Sequence, residues 1–290
     1  MRQKNTPVTS FYIWKHSFEK MKESFASCFL VVLLTFILPC FLVFLVFSIQ
    51  SAPIVQEIQD TVNSFLNQNL STNYQDLIGS SSLFLLSSLI AFFALAFITI
   101  ACFFSIVQIS LGLKKPRELN EFYQLYLNSL RLSFSKGIIF FLAITVLSLE
   151  VVFWGPLRIF SLSALMAFVI TTLEKRGAFS SLWKALFFKY VSKKQAQTFS
   201  TIIIIISTSA LIYLYEGIVN ILGQNILMLD EWLKVSRNIW IKQVPFFPFS
   251  YIYLFNYLFQ IFSYSLLLIF LSHFCSSLFL AVRKRLSEKF

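Results

Sequence analysis

The chain has 290 residues, a length that would allow one or two water-soluble domains. Its composition excludes that reading, because 57% of the residues are hydrophobic and only 13% are charged, against about 25% charged in soluble domains. Several apolar runs reach the roughly 20 residues that cross a bilayer. The net charge of +11 would suggest nucleic acid in a soluble protein. Here the basic residues flank the apolar runs, so we expect no nucleic acid partner and an attraction to anionic lipid headgroups.

The first segments alternate between polar amphipathic stretches and apolar runs. Residues 1–27 are basic, and their aromatic side chains recur at helical spacing, which predicts a helix lying on the membrane. A first span is predicted at about 28–49, with Pro39 as a kink. A second span is predicted at roughly 80–109, followed by a basic stretch and another helix-like segment.

The segment 137–173 is the most unusual apolar stretch. Gly155-Pro156 breaks it near the middle, so it predicts a membrane hairpin with arms at about 138–153 and 157–173. Glu150 and Arg158 lie close to this break, and Glu216 lies near the far end of the next span. Charges at membrane depth are costly and often functional. We expect structural pairing of Glu150 or Glu216 with Arg158, and the alternative is a polar cluster that serves a small transporter or channel subunit.

The region 174–199 has the strongest amphipathic pattern of the chain. Its apolar positions follow helical spacing from Phe179 to Val191, with Lys184 and Lys189 near the margins of the opposite face. The region predicts a surface helix whose lysines contact anionic lipid or an unknown membrane protein partner: Lys184, Lys189, Lys193 and Lys194. A fifth span at about 200–222 and a sixth within 248–282 complete the predicted chain.

The distribution of Lys and Arg predicts the orientation in the membrane. Twenty of these residues fall in the N-terminal, second, third and C-terminal polar segments, and four fall in the alternating loops. The positive-inside rule then places both termini in the cytoplasm. The hairpin at 137–173 begins and ends on the basic side whether it crosses fully or re-enters, so charge counting does not decide between these alternatives.

Three units of similar layout follow from these segments. Each predicted unit is an aromatic-bearing cytoplasmic surface helix followed by two spans, at about 8–109, 117–173 and 176–282. The predicted fold is therefore all-α: a single membrane domain over 1–290, with six transmembrane helices arranged as three hairpins.

The segment Arg176–Leu186, RGAFSSLWKAL, resembles one found in a loose group of uncharacterised bacterial six-span inner-membrane proteins. This group includes the membrane domain of some glycerophosphodiester phosphodiesterases. The resemblance implies a multi-pass protein of the bacterial cell membrane. It brings no catalytic residues, and Phe187-Phe188 stand where the group has a polar or basic residue and Ser.

Residues typical of enzymatic chemistry are sparse. The two histidines, His16 and His273, are far apart and lack carboxylates at ligand spacing, and no nucleotide-binding, hydrolase or metalloprotease motif occurs. The four cysteines lie in or beside apolar runs and predict buried thiols. We therefore expect a non-enzymatic protein without cofactor or metal, with a role in assembly, lipid interaction or membrane organisation.

Overall fold

The structure is a computed structural model that describes residues 9–43, 45–46, 74–114, 116, 118–153, 158–187, 195–235 and 251–287. Within these ranges several stretches are described by their backbone alone, among them 138–153 and 158–161. The described part of the chain is all-α and contains seven helices: α1 (Ser10–Val32, continued by a π-helical turn at Leu33–Ile37), α2 (Tyr74–Ser110), α3 (Leu119–Phe153), α4 (Arg158–Glu174), α5 (Ala178–Leu186), α6 (Gln195–Val235) and α7 (Tyr251–Ser287).

Four of the described helices are long and apolar enough to cross a membrane. The corresponding segments are Ser10–Val43 in α1, Leu85–Ser110 in α2, Thr198–Met228 in α6 and Phe255–Val282 in α7. A shorter apolar segment, Leu162–Glu174, belongs to α4. A hydrocarbon core about 30 Å thick needs about 20 helical residues, and each of the four exceeds that length. The chain is therefore a polytopic helical membrane protein with four candidate spans.

The helix ends agree with the hairpin predicted in the middle of the chain. α3 ends at Phe153 and α4 begins at Arg158, which leaves the Gly155-Pro156 pair between the two arms. α3, however, begins at Leu119 and includes the whole of the first arm together with the helix-like segment before it. The predicted separation between the second surface helix and its span was therefore wrong.

The same correction applies to the first unit. The predicted boundary between a surface helix and a span near residue 27 does not exist, because α1 runs without a break from Ser10 to Val32. A change from polar to apolar sequence does not interrupt a helix. An interruption needs a residue that breaks the backbone hydrogen-bond ladder, and residues 10–32 contain neither Gly nor Pro.

A π-helical turn at Leu33–Ile37 lies just before Pro39, the residue at which the sequence predicted a kink. Proline has no backbone N–H and its ring clashes with the carbonyl four residues earlier, here that of Thr35. A wider turn in this part of the helix absorbs the mismatch. In the same part of the helix, the hydroxyl of Thr35 donates to the carbonyl of Val31 at 2.7 Å.

Small residues four positions apart are buried within the helix bundle. Four pairs of this kind are fully or almost fully buried, one on each of α2, α3, α4 and α7: Ala101/Ser105, Ser129/Ser133, Ser163/Ala167 and Ser272/Ser276. Small side chains let the backbones of membrane helices approach closely, as glycine does in the Gly-x-x-x-Gly motif. Their hydroxyls also link helices: Ser105 donates to Ser129 at 2.8 Å between α2 and α3, and Ser110 lies 2.5 Å from Ser276 between α2 and α7.

Aromatic rings also pack between the helices. Phe168 of α4 packs against both Phe103 and Phe104 of α2, with ring centroids 5.0 and 4.8 Å apart. Phe18 of α1 packs against Phe270 of α7 at 5.1 Å. The four cysteines are buried and free, which confirms the expected burial of their thiols.

Candidate functional site

The predicted intramembrane polar cluster is described only in part. Glu150 belongs to the backbone of α3 and Arg158 begins α4, but their side chains are not described. Glu216 lies on α6 and is partly exposed. A Glu150/Arg158/Glu216 contact therefore stays a prediction, as does the transporter function that depends on it.

The clearest grouping of charged side chains is at the turn between α4 and α5. The carboxylate of Glu174, the last residue of α4, accepts two bonds from the ammonium of Lys184, at 2.7 and 2.8 Å. Arg176 brings its Nε to within 2.7 Å of the same carboxylate. The Glu174 and Lys184 side chains are only 18% and 19% exposed, so this ion pair holds α5 against the end of α4.

The backbone of the turn makes this arrangement possible. Lys175 adopts a left-handed conformation, with φ 52°, which is uncommon outside glycine and reverses the chain after α4. Gly177 then caps α5 in an extended conformation. The reversal leaves Lys175 and Arg176 exposed on the outside of the turn, while Lys184 is directed back to Glu174.

A third helix contributes to the same surface. Lys136 of α3 donates from its ammonium to the backbone carbonyl of Arg176 at 3.0 Å. The turn therefore brings together four basic side chains, of which Lys184 and Arg176 contact the Glu174 carboxylate. We refer to the basic residues of this surface, Lys136, Lys175, Arg176 and Lys184, as the basic turn.

An exposed aromatic edge lies next to the basic turn, on α5. Phe179, Trp183 and Phe187 are 69%, 47% and 56% exposed, and the Trp183 and Phe187 rings pack together with centroids 4.2 Å apart. The buried face of α5 consists of smaller side chains and one leucine: Ala178, Ser181, Leu182 and Ala185. Aromatic side chains beside cations are typical of the region where protein meets lipid headgroups.

The apolar residues predicted to share one face of this helix thus lie on two faces. Leu182 packs into the bundle, while the three aromatic residues face outward. Of the four lysines proposed for lipid or partner contact, Lys184 is directed to Glu174 and only partly exposed. Lys189, Lys193 and Lys194 lie outside the described residues.

Sequence reasoning missed the main components of the basic turn. Lys136, Lys175 and Arg176 were counted as charges for the orientation, and Arg176 also begins the segment with the family resemblance, but Glu174 was not singled out. The Glu174–Lys184 pair has a spacing of ten residues, which matches no helical neighbour rule and arises only once the chain reverses. Among the described residues, no three His, Cys, Asp or Glu side chains gather as metal ligands.

Comparisons with known proteins give no match. No protein-family model matches the chain, and no curated protein or solved structure does so either. The resemblance of Arg176–Leu186 to the bacterial six-span group is thus a prediction that these comparisons leave untested.

Proposed function

We propose that this chain is a non-enzymatic membrane protein that binds anionic lipid headgroups at the basic turn and so serves membrane organisation or assembly. The observation that carries the proposal is the juxtaposition of the exposed cations Lys175 and Arg176 with the aromatic edge of α5. Phosphate-bearing headgroups suit such a site, because guanidinium and ammonium groups donate charge-assisted hydrogen bonds to phosphate oxygens. Aromatic rings can lie at headgroup level beside them.

Contacts with the neighbouring helices hold the basic turn in a fixed geometry. The Lys184–Glu174 pair and the Lys136 bond to the Arg176 carbonyl connect α3, α4 and α5. A fixed geometry reduces the entropy lost when a headgroup binds. Glu174 is already engaged by two cations, so its charge repels an incoming phosphate less than a lone carboxylate would.

The proposal includes the finer architecture expected from the sequence. It places six spans in the bacterial inner membrane, arranged as three hairpins, with both termini and the basic turn on the cytoplasmic side. The charge distribution supports this orientation. The α3–α4 hairpin supplies the third and fourth spans, and because it returns the chain to its starting side, its depth does not alter the position of the termini.

Lipid retention by the full-length protein tests the proposal. The protein would be purified in mild detergent, exposed to equal amounts of phosphatidylglycerol and phosphatidylcholine, and analysed by native mass spectrometry. Each basic residue near an anionic surface contributes about 1 kcal/mol. Lys175→Gln with Arg176→Gln is therefore expected to lower phosphatidylglycerol retention about tenfold or more relative to phosphatidylcholine.

A control with the same change in charge is available on α1. Lys15 and Lys22 are exposed there, and Lys15→Gln with Lys22→Gln removes the same two charges from another surface. We expect that variant to retain phosphatidylglycerol like the unmodified protein. An equal loss of phosphatidylglycerol retention in the two variants would show that net charge alone attracts the lipid. Unchanged retention in the Lys175→Gln with Arg176→Gln variant would show that the basic turn is not the binding site.

A further inference from the structure

His273 forms a polar connection between α1 and α7 in the interior of the bundle. The residue is fully buried, and both of its ring nitrogens have partners. Nδ1 lies 2.8 Å from the carbonyl oxygen of Ile269, one turn earlier on α7. Nε2 lies 2.7 Å from the hydroxyl of Ser24 on α1. This contact joins residues 249 positions apart.

The carbonyl of Ile269 determines which nitrogen carries a proton. A carbonyl oxygen can only accept, so Nδ1 must be the donor in that bond. In the neutral imidazole Nε2 is then an acceptor, and the Ser24 hydroxyl must donate to it. In the imidazolium both nitrogens donate, so Nε2–H donates to the Ser24 oxygen instead.

Ser24 has hydrogen-bond partners that suit both protonation states of His273. Its hydroxyl lies 2.9 Å from the carbonyl oxygen of Lys20, which is a second acceptor for the single hydroxyl proton. The thiol of Cys28 lies 3.8 Å away and donates to the Ser24 oxygen. When the hydroxyl proton is turned toward Lys20, the oxygen is available to accept from His273. A rotation of the Ser24 hydroxyl about its Cβ–Oγ bond therefore reverses the direction of the Ser24–His273 hydrogen bond without breaking it.

We propose that His273 is a reversible proton-binding site at the α1–α7 contact, with Ser24 as the hydroxyl that exchanges its acceptor when the proton arrives. The site differs from the basic turn and does not depend on the lipid proposal. It meets the main requirement for a buried titratable group, since neither protonation state leaves the imidazole with an unsatisfied nitrogen.

The charged surroundings of the site are simple. The charged side chain that interacts with His273 is that of Lys20, on α1. Among the described residues of α2, α4 and α6, which also pack against α7, no charged side chain acts on the ring. α2 contacts the neighbouring residue of α7 through the Ser110 hydroxyl, which donates to the carbonyl of Ser272 at 3.5 Å.

The test uses the full-length protein in liposomes with a single histidine. The chain has two histidines, so His16→Gln leaves His273 as the only source of a ¹⁵N-histidine signal in solid-state NMR. At neutral pH we expect a protonated Nδ1 and an unprotonated Nε2, and on acidification a reversible conversion to the doubly protonated ring. A neutral ring protonated at Nε2, or a ring that never titrates, would overturn the proposal.

Variants of Ser24 separate the proposed exchange from simple packing. Ser24→Ala leaves the Nε2–H of the imidazolium without an acceptor, so the imidazolium fraction at a given acidic pH is expected to fall at least threefold. Ser24→Thr keeps the hydroxyl and is expected to restore the fraction found with Ser24. An imidazolium fraction that is the same in the Ala and Thr variants would show that Ser24 has no part in proton binding.

Discussion

The indole nitrogen of Trp14 donates a hydrogen bond to the hydroxyl of Thr208 at 2.9 Å, although 194 residues separate them. Trp14 lies in the second turn of α1, and Thr208 is fully buried on α6. A second bond joins Ser207 to Ser10 at 3.2 Å. The N-terminal turns of α1 are therefore part of the helix bundle, and the polar composition of this segment does not place it apart from the other helices.

The Trp14–Thr208 bond predicts a measurable loss of stability when either partner is changed. Trp14→Phe keeps an aromatic ring and leaves the Thr208 hydroxyl without its donor, so the free energy of unfolding is expected to fall by about 1 kcal/mol. Thr208→Val removes the acceptor at similar volume and should cost about as much. Unfolding in mixed detergent micelles, followed by circular dichroism, measures both changes.

Phe11 provides the matched comparison, since it is 73% exposed on the same helix. Phe11→Ala is expected to change the unfolding free energy by less than about 0.5 kcal/mol. The double variant Trp14→Phe with Thr208→Val should cost less than the sum of the single changes, because both remove one bond. Strict additivity would mean that the two side chains do not interact.

The sequence predicted the helices of this protein better than the contacts between them. Apolar runs and the Gly155-Pro156 pair predicted where α3 ends and α4 begins, because length and breaker residues are local properties. The Trp14–Thr208 bond depends on how two helices are rotated and how far they have slid past each other. A single sequence contains no local signal for that relationship.

At the basic turn, too, the sequence predicted local features but not the contacts between residues. The basic character of residues 174–199 was apparent from the sequence, and so was their amphipathic pattern. The partner of Lys184 was not, because Glu174 meets it only after the left-handed residue Lys175 has reversed the chain. The interior serines were also missed, since a serine within an apolar run has no visible partner until two helices come together.

Gly223 on α6 predicts a close contact with α7 that excludes a larger residue. A Cβ atom at this position would lie 3.0 Å from Oδ1 of Asn256 and 3.4 Å from Nε2 of Gln260. Asn256 is buried, and Oδ1 has no hydrogen-bond partner among the described residues. Gly223→Ala must displace this carboxamide, and we expect it to lower the unfolding free energy by about 1–2 kcal/mol.

Gly217 lies on the same helix, and a Cβ atom added there would have no described neighbour within 4 Å. Gly217→Ala should therefore show only the gain in helix propensity, up to about 1 kcal/mol of added stability. Asn256→Ala combined with Gly223→Ala should recover much of the loss, since the obstructing oxygen is then gone. If both glycine variants were equally stable, the close approach of α6 and α7 at this point would be refuted.

Ser129 on α3 allows the role of small interior residues to be tested. Its hydroxyl oxygen accepts from Ser105 at 2.8 Å and from Gln108 at 3.3 Å, both on α2. Ser129→Leu forces a large side chain into this contact and removes the acceptor, so we expect a loss of about 2–4 kcal/mol. Ser129→Ala keeps the small volume and should cost only about 1 kcal/mol.

Ser135 on the same helix is exposed, and its hydroxyl donates to the carbonyl of Leu132 at 3.2 Å, within its own helix. Ser135→Leu is therefore expected to change stability by less than about 0.5 kcal/mol in the same unfolding assay. A large effect at Ser129 with none at Ser135 would show that close packing of α2 on α3 requires the small side chain. Similar small effects of both leucine substitutions would mean that these helices do not pack closely at Ser129, and that serine does not replace glycine in this fold.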